Sequence, residues 1–195
     1  ARPVVLLLLS LIITSVPRVS ADTADDTNPL AALPMRHIGP ALMSGRISDF
    51  AFYPGGNQAF IAGISSGNVF RTLNGGTTWE PIFDNEDSYA IGVVELDPTD
   101  PNTIWVGTGE NNAQRSVAAG NGVYKSVDGG RSWSNVGLED SGHISQIWIN
   151  PDDSDEVIVA SQGPLWNDGG DRGLYRTSDG GKTWDLILEI DEHTG

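Results

Sequence analysis

The chain contains no cysteine in its 195 residues, so disulfides, thiol nucleophiles and zinc–thiolate centres are excluded. It is short of cations: 11 Lys and Arg stand against 26 Asp and Glu, a net charge of −15 that repels phosphate backbones and anionic lipid surfaces. Nucleic acid is therefore not an expected partner. No N-x-[ST] sequon occurs, so nothing points to glycosylation, and the pattern leans towards a bacterial exterior. Outside the N-terminus no segment has a sustained period of 3.6, which predicts next to no helix.

The one long apolar run is at the start, from Val4 through Leu9 to Val16, followed by the small-residue pattern Val19-Ser20-Ala21. It reads as a secretory signal, residues 1–21, cut after Ala21; an uncleaved anchor is the alternative. Cleavage removes Arg2 and Arg18 and takes the net charge from −15 to −17. The mature protein then has no membrane span and is expected outside the cytoplasm: extracellular, periplasmic or at the cell surface. Residues 22–36 are acidic and Pro-containing, a disordered lead-in. The chain begins at Ala1 without Met and stops at Gly195, where a further repeat is expected, so the sequence reads as a fragment truncated at its C-terminus.

What is present is one phrase written three times: Thr72-Leu73-Asn74-Gly75-Gly76-Thr77-Thr78-Trp79, Ser126-Val127-Asp128-Gly129-Gly130-Arg131-Ser132-Trp133 and Thr177-Ser178-Asp179-Gly180-Gly181-Lys182-Thr183-Trp184. The tryptophans are 54 and 51 residues apart, a period that marks propellers and solenoids. The paired glycines, including Gly76, Gly130 and Gly181, supply positive φ. Asn74, Asp128 and Asp179 fold back onto the turn's own amides, while Trp79, Trp133 and Trp184 cover the turn. Acids that recur once per repeat are structural, not catalytic or metal-binding. The Asp152–Glu156 cluster lacks the glycine of an EF-hand, so no metal site is expected, and no cofactor is implied.

β-Branched and aromatic runs bounded by Gly, Pro, Asn and Asp predict four strands per repeat. In the first repeat these are Arg46–Pro54, Ala59–Gly63, Gly67–Arg71 and Pro81–Phe83; the second strand of the third repeat is predicted at Glu156–Ala160. The fold class is all-β: β-propeller blades of four antiparallel strands at about 45–87, 88–140 and 141–190, within a partial propeller spanning 37–195. Three blades leave two open flanks, with Phe50, Phe52, Phe60 and Trp79 at one end and Tyr175, Trp184 and Leu186 at the other.

From Pro54, Pro98 and Pro151 to Trp79, Trp133 and Trp184 there are 25, 35 and 33 residues, and all the extra length falls between the second and third strands. These insertions, Glu110–Asn121 and Pro164–Arg172, emerge on the same face as the start of the innermost strand. Arg46, Glu110, Asn111, Asn112, Arg115, His143, Trp166, Asp168, Asp171 and Arg172 thus converge on one face near the axis, the candidate ligand-binding surface. Glu110 with Asp168 or Asp171 could supply the two carboxylates, about 5–10 Å apart, that a glycosidase needs. The competing structural reading pairs Glu110 with Arg115 and makes His143 a hydrogen-bonded channel residue.

The phrase resembles the Asp-box, or BNR, repeat S-x-D-x-G-x-T-W. Together with Ile38-Gly39-Pro40-Ala41, Gly45-Arg46-Ile47, Gly107–Asn111, Gly122–Ser126, His143-Ile144, Gly163–Trp166 and Asp191–Gly195, the chain is similar to exported bacterial relatives of the sortilin N-terminal domain. That resemblance implies a larger propeller that binds protein or peptide ligands, completed by the remaining blades of the parent chain. The rival is a secreted Asp-box glycoside hydrolase acting on polysaccharide. The sialidase motif [FY]-R-I-P is absent, since Ser48 follows Arg46-Ile47, as is the D-x-G-G-x-[YW]-R run of xyloglucan-cleaving enzymes. A third reading, an assembly factor, rests on the Asp boxes that photosystem assembly factors also carry.

Overall fold

The computed structural model describes residues 45–112 and 117–194, all within the second of the chain's two units, Ile38–Gly195. The signal segment, the lead-in and Arg115 lie outside the described residues. Twelve strands form three four-stranded antiparallel sheets, each in chain order. The first comprises β1 (Ile47–Phe52), β2 (Phe60–Ile64), β3 (Asn68–Thr72) and β4 (Glu80–Pro81); the second β5 (Ile91–Leu96), β6 (Ile104–Thr108), β7 (Val123–Ser126) and β8 (Ser134–Asn135). The third comprises β9 (Ile144–Asn150), β10 (Asp153–Ser161), β11 (Gly173–Thr177) and β12 (Asp185–Leu188). The innermost strands neighbour one another, β1 against β5 and β5 against β9. These are blades of a β-propeller.

Strand ends depart from the sequence reading in three places. β4 and β8 begin directly after the box tryptophan and last two residues; Pro81 has no N–H to extend the first ladder. β10 starts at Asp153, paired with Asn150 across a tight hairpin, so its exposed N-terminal half lacks the apolar alternation that marks a strand in sequence. A 3-10 turn, Glu139–Ser141, precedes β9, bracketed by Leu138 and Gly142 at positive φ. Among the described residues no helix is long and apolar enough to cross a membrane.

The apolar core lies between sheets. One layer joins Ala51, Ile61, Val69 and Phe83 of the first blade to Ile91, Val94, Ile104 and Tyr124 of the second. Another joins Val93, Trp105 and Val123 to Ile144, Ile147, Val157 and Val159. Strand alternation produces this directly, because successive side chains of β5 and β6 face opposite neighbours. At about 25 cal/mol per Å² of apolar surface buried, such layers supply most of the stability, so each blade depends on the next.

The box geometry shows why the phrase recurs. The Asp128 Oδ1 atom accepts the N–H groups of Arg131 and Ser132 at 2.9 Å, and Oδ2 accepts the Ser132 hydroxyl at 2.7 Å. The Ser126 hydroxyl donates to Asp128 and accepts the Gly130 N–H at 2.9 Å. Asp179 with Thr177 and Thr183 repeats this arrangement. The Ser132 and Thr183 hydroxyls, then their backbone N–H groups, hold Asp128 and Asp179 well below the usual carboxylate range. In the first box the Asn74 amide keeps the acceptor and donates its Nδ2 to Thr78 at 2.9 Å. Gly75 and Gly76, at φ 65° and 85°, show the conformation the turn imposes.

The box tryptophans do more than cover their own turns. Trp133 Nε1 donates to the carbonyl of Ile82 in the preceding blade at 2.6 Å, and Trp184 Nε1 to that of Val136 at 2.7 Å. A basic residue reaches the other way: Arg71 donates to the carbonyl of box residue Gly129 at 2.7 Å, Lys125 to that of Gly180 at 3.1 Å. Each boundary is thus crossed by one indole bond and one cationic bond, in opposite directions. Phe50, Phe52 and Trp79 are exposed on the free side of the first blade, gathered around Phe60. The far flank differs from the sequence expectation: Tyr175 and Trp184 turn inward against Trp105 and its layer, leaving Trp148, Leu186, Ile187 and Leu188 exposed.

Candidate functional site

The β6–β7 insertion is folded by its own polar groups. The Thr108 hydroxyl donates to Gly122 at 2.7 Å and accepts the Asn121 N–H, and the backbones of Glu110 and Ala118 pair at 2.9 Å. Gly109 passes so close to the Gly142 carbonyl that a Cβ would sit 2.0 Å from it, at φ 92°; only glycine fits there. The Gly120 N–H donates to Gly142 at 2.7 Å, bringing this insertion beside the entry to β9.

Glu110 is 1% exposed and ion-paired with Arg46, at the head of β1, while its Oε2 accepts the Ala118 N–H at 3.2 Å. The partner considered from sequence, Arg115, is outside the described residues, so the pairing found is with Arg46. Asn111 is also engaged, donating its side-chain amide to the Gly92 carbonyl at 3.0 Å. Asn112 is half-buried.

The β10–β11 insertion is built around a buried guanidinium. Arg172 donates to three backbone carbonyls: Gln162 at 2.5 Å, Pro164 at 2.7 Å and Asn167 at 3.2 Å. The Asp171 carboxylate accepts the Asp140 N–H at 3.0 Å and ties the insertion to the 3-10 turn. At its tip Asp168 meets His193 Nδ1 at 2.9 Å, and the Gly169 N–H donates to the Glu192 carbonyl. Asp168, Glu192 and His193 present ligand atoms within 4.8 Å of one another, yet all three are exposed and Asp168 and His193 satisfy each other.

Two grooves flank this insertion. A cleft of about 530 Å³ is lined by Asn111, Gln162, Trp166, Asp168, Arg172 and His193, among others. A smaller groove of about 290 Å³ runs between Ala119-Gly120, the Glu139–His143 segment and Pro164–Asn167. Trp166 borders both and is 75% exposed. His143 borders the smaller groove but is 3% exposed, and its Nδ1 has no partner among the described residues. Burial pushes its imidazole pKa down, which favours the neutral ring.

The insertion face therefore gathers Asn111, Trp166, Asp168 and Arg172 in one cleft and His143 in the next, while Arg46, Glu110 and Asp171 are fastened into the scaffold. Gln162, Leu165, Asn167 and His193 also line the larger cleft and were not singled out from sequence. Leu165 sits inside an insertion that was recognised. His193 lies in the Asp191–Gly195 segment that carries the family resemblance, but it follows the last strand, so no strand or loop spacing places it at this cleft.

The family model described as Sortilin, neurotensin receptor 3 matches residues 67–194. Comparison with curated protein sequences finds no match. Among solved structures, an ancestral GH74 enzyme is similar at 21% identity with a TM-score of 0.58, over 78% of this chain and 20% of that one. The GH74 xyloglucanase from Xanthomonas campestris follows at 19% identity and 0.52, over 77% and 21%. YCF48 bound to D1 peptide is similar at 19% and 0.52, over 80% of this chain and 44% of that one. The chain spans less than half the length of each, and at these identities the likeness is one of fold. Since the family model covers more than half of a chain whose three sheets are propeller blades, the chain belongs to the sortilin–Vps10 family of β-propellers.

Proposed function

We propose that the chain is part of an exported propeller module whose insertion face binds a protein or peptide ligand, with Trp166 as the anchor. The observation that carries this reading is the indole of Trp166, 75% exposed on the ridge between two grooves. A large exposed aromatic rimmed by polar groups gains most from being covered by a partner, and such residues dominate binding energies. Membership of the sortilin–Vps10 family and the likeness to a propeller solved with a peptide point the same way. The N-terminal apolar run supports export.

The hydrolase reading, favoured by fold likeness to GH74 enzymes, has weaker support from the acids. Glu110 is buried against Arg46, Asp171 holds a backbone N–H, and Asp168 faces His193. Each is engaged where a glycosidase needs an open opposing pair.

The test is to select peptides from a displayed random library on the immobilised chain and titrate the best binders calorimetrically. Replacing Trp166 with Ala is expected to weaken binding by about tenfold or more without moving the unfolding midpoint, because the side chain is exposed. Undiminished binding by that variant overturns the site. Release of reducing ends from soluble xyloglucan by the unmodified chain overturns the binding reading in favour of hydrolysis.

A further inference from the structure

The smaller of the two grooves is walled by segments between β6 and β11, so the second and third blades supply all of it: Ala119-Gly120, the Glu139–His143 segment and Pro164–Asn167. Its walls divide by chemistry. Ala119, Pro164 and Leu165 offer apolar surface, and the exposed indole of Trp166 borders it. The turn before β9 adds two exposed carboxylates, Glu139 and Asp140, neither of which is hydrogen-bonded or ion-paired among the described residues. Charge on this face is one-sided. Among the described residues lining the two grooves, the exposed acids are Glu139, Asp140 and Asp168, whereas Arg172 is buried on three backbone carbonyls and the His193 ring is held by Asp168.

A second feature of the same groove calls for a ligand. His143 lines it at 3% exposure, and its Nδ1 has no partner among the described residues, a polar deficit that a ligand's N–H or C=O relieves. Because burial favours the neutral ring, His143 brings no positive charge to repel a cation. The aromatic wall is also held in place beforehand. Arg172 donates to the carbonyls of Pro164 and Asn167, on either side of Leu165-Trp166, so the indole is presented on a fixed loop and little ordering is needed when a partner covers it.

We propose that this groove is the pocket for an arginine side chain of a basic peptide ligand, its guanidinium stacked on Trp166 and paired with Glu139 and Asp140, its methylene stem along Pro164 and Leu165. The assignment rests on the peptide-binding function proposed above and adds the chemistry of the ligand. A groove of about 290 Å³ has room for one side chain of this length, and apolar walls suit a stem that carries its charge only at the tip. Arginine fits better than lysine. Its planar head lies flat on an indole and reaches a carboxylate through two parallel bonds, whereas an ammonium is a compact, strongly hydrated charge. The chain's net charge of −15 draws such a ligand in.

The test follows the indole N–H resonance of Trp166, identified by its loss in Trp166→Ala, in the isotope-labelled whole chain. The probe is acetyl-Gly-Gly-Arg-Gly-Gly-amide, compared with the same pentapeptide carrying lysine or citrulline, the latter keeping the shape of arginine without its charge. The arginine peptide is expected to shift the resonance with a Kd about fivefold or more below that of the citrulline peptide, and below that of the lysine peptide. Raising salt from about 20 to about 300 mM is expected to weaken the arginine peptide and spare the citrulline one. Glu139→Gln combined with Asp140→Asn is expected to remove most of the preference without moving the melting temperature, since both side chains are exposed; should the pair unsettle the turn, Glu139→Gln alone serves. Equal affinity for the arginine and citrulline peptides overturns the proposal, as does a preference that survives neutralising the acids, or no shift with the arginine peptide at millimolar concentration. Library-selected peptides that need Trp166 but carry no basic residue overturn the arginine pocket and leave the binding function standing; the absence of any Trp166-dependent peptide removes both.

Discussion

The indole nitrogen of Trp133 lies 2.6 Å from the carbonyl oxygen of Ile82, across the boundary between the first and second blades. The same ring stands edge-on to Phe83 at 5.0 Å between centroids, so a residue belonging to one blade's turn anchors the blade before it. Trp133→Ala is expected to cost about 3–5 kcal/mol, read from urea unfolding, because it removes both the bond and a packed ring. Trp79→Ala is expected to cost distinctly less, since Trp79 has no such bond among the described residues. Equal losses at the two positions would show that the cost arises within the hairpin.

Asp128→Asn is expected to be mild and Asp128→Ala severe by comparison. The first box already operates with Asn74, whose oxygen accepts the Thr78 N–H and whose nitrogen donates to the Thr78 hydroxyl. In the second box the amide has Ser132 available for the same exchange. Melting temperatures of both variants against the parent decide the matter; an Asn variant as damaged as the Ala variant would mean that charge, not geometry, holds the turn.

Arg46→Ala is expected to destabilise by about 2–3 kcal/mol, because it leaves the almost fully buried Glu110 carboxyl without its counter-ion. The loss is smaller than for a fully buried pair because Arg46 is itself partly solvated. Arg46→Met combined with Glu110→Leu is expected to recover most of the loss. A double variant no better than Arg46→Ala would assign Glu110 a role beyond the pair, and ligand titration would then be the next measurement.

Burial, with the Asp49 carboxylate nearby, pushes Glu95 up from 4.5 to about 7. Between those values the folded chain holds a proton that the unfolded chain has released, so stability falls as pH rises through this window and levels off above it. Glu95→Gln is expected to raise the unfolding midpoint at about pH 8 and to flatten its drift between about pH 5 and 8. A profile as steep as the parent's would trace the drift to other groups.

Much of this molecule is legible in sequence because repetition does the work of an alignment. Three boxes, three prolines and three Gly-led strands fix the blades, and the lengths between them locate the insertions. Contacts between blades were less legible. Nothing in the spacing says that Trp184 turns towards Trp105 or that Arg46 takes Glu110, because both depend on how one sheet is rotated against the next. Of the candidate face, Asn111, Trp166, Asp168 and Arg172 do meet at one cleft. Glu110 and Asp171 looked like available acids because sequence records their charge but not the N–H groups and guanidinium that occupy them.

The second blade is the one described blade gripped from both sides, by Trp133 and Arg71 on one boundary and Trp184 and Lys125 on the other. Opening it breaks two sets of bonds and two apolar layers at once. Amide protons of β5 and β6 should therefore be among the slowest of the described strands to exchange with deuterated water, because neither face of their sheet is wetted until both neighbours have moved away.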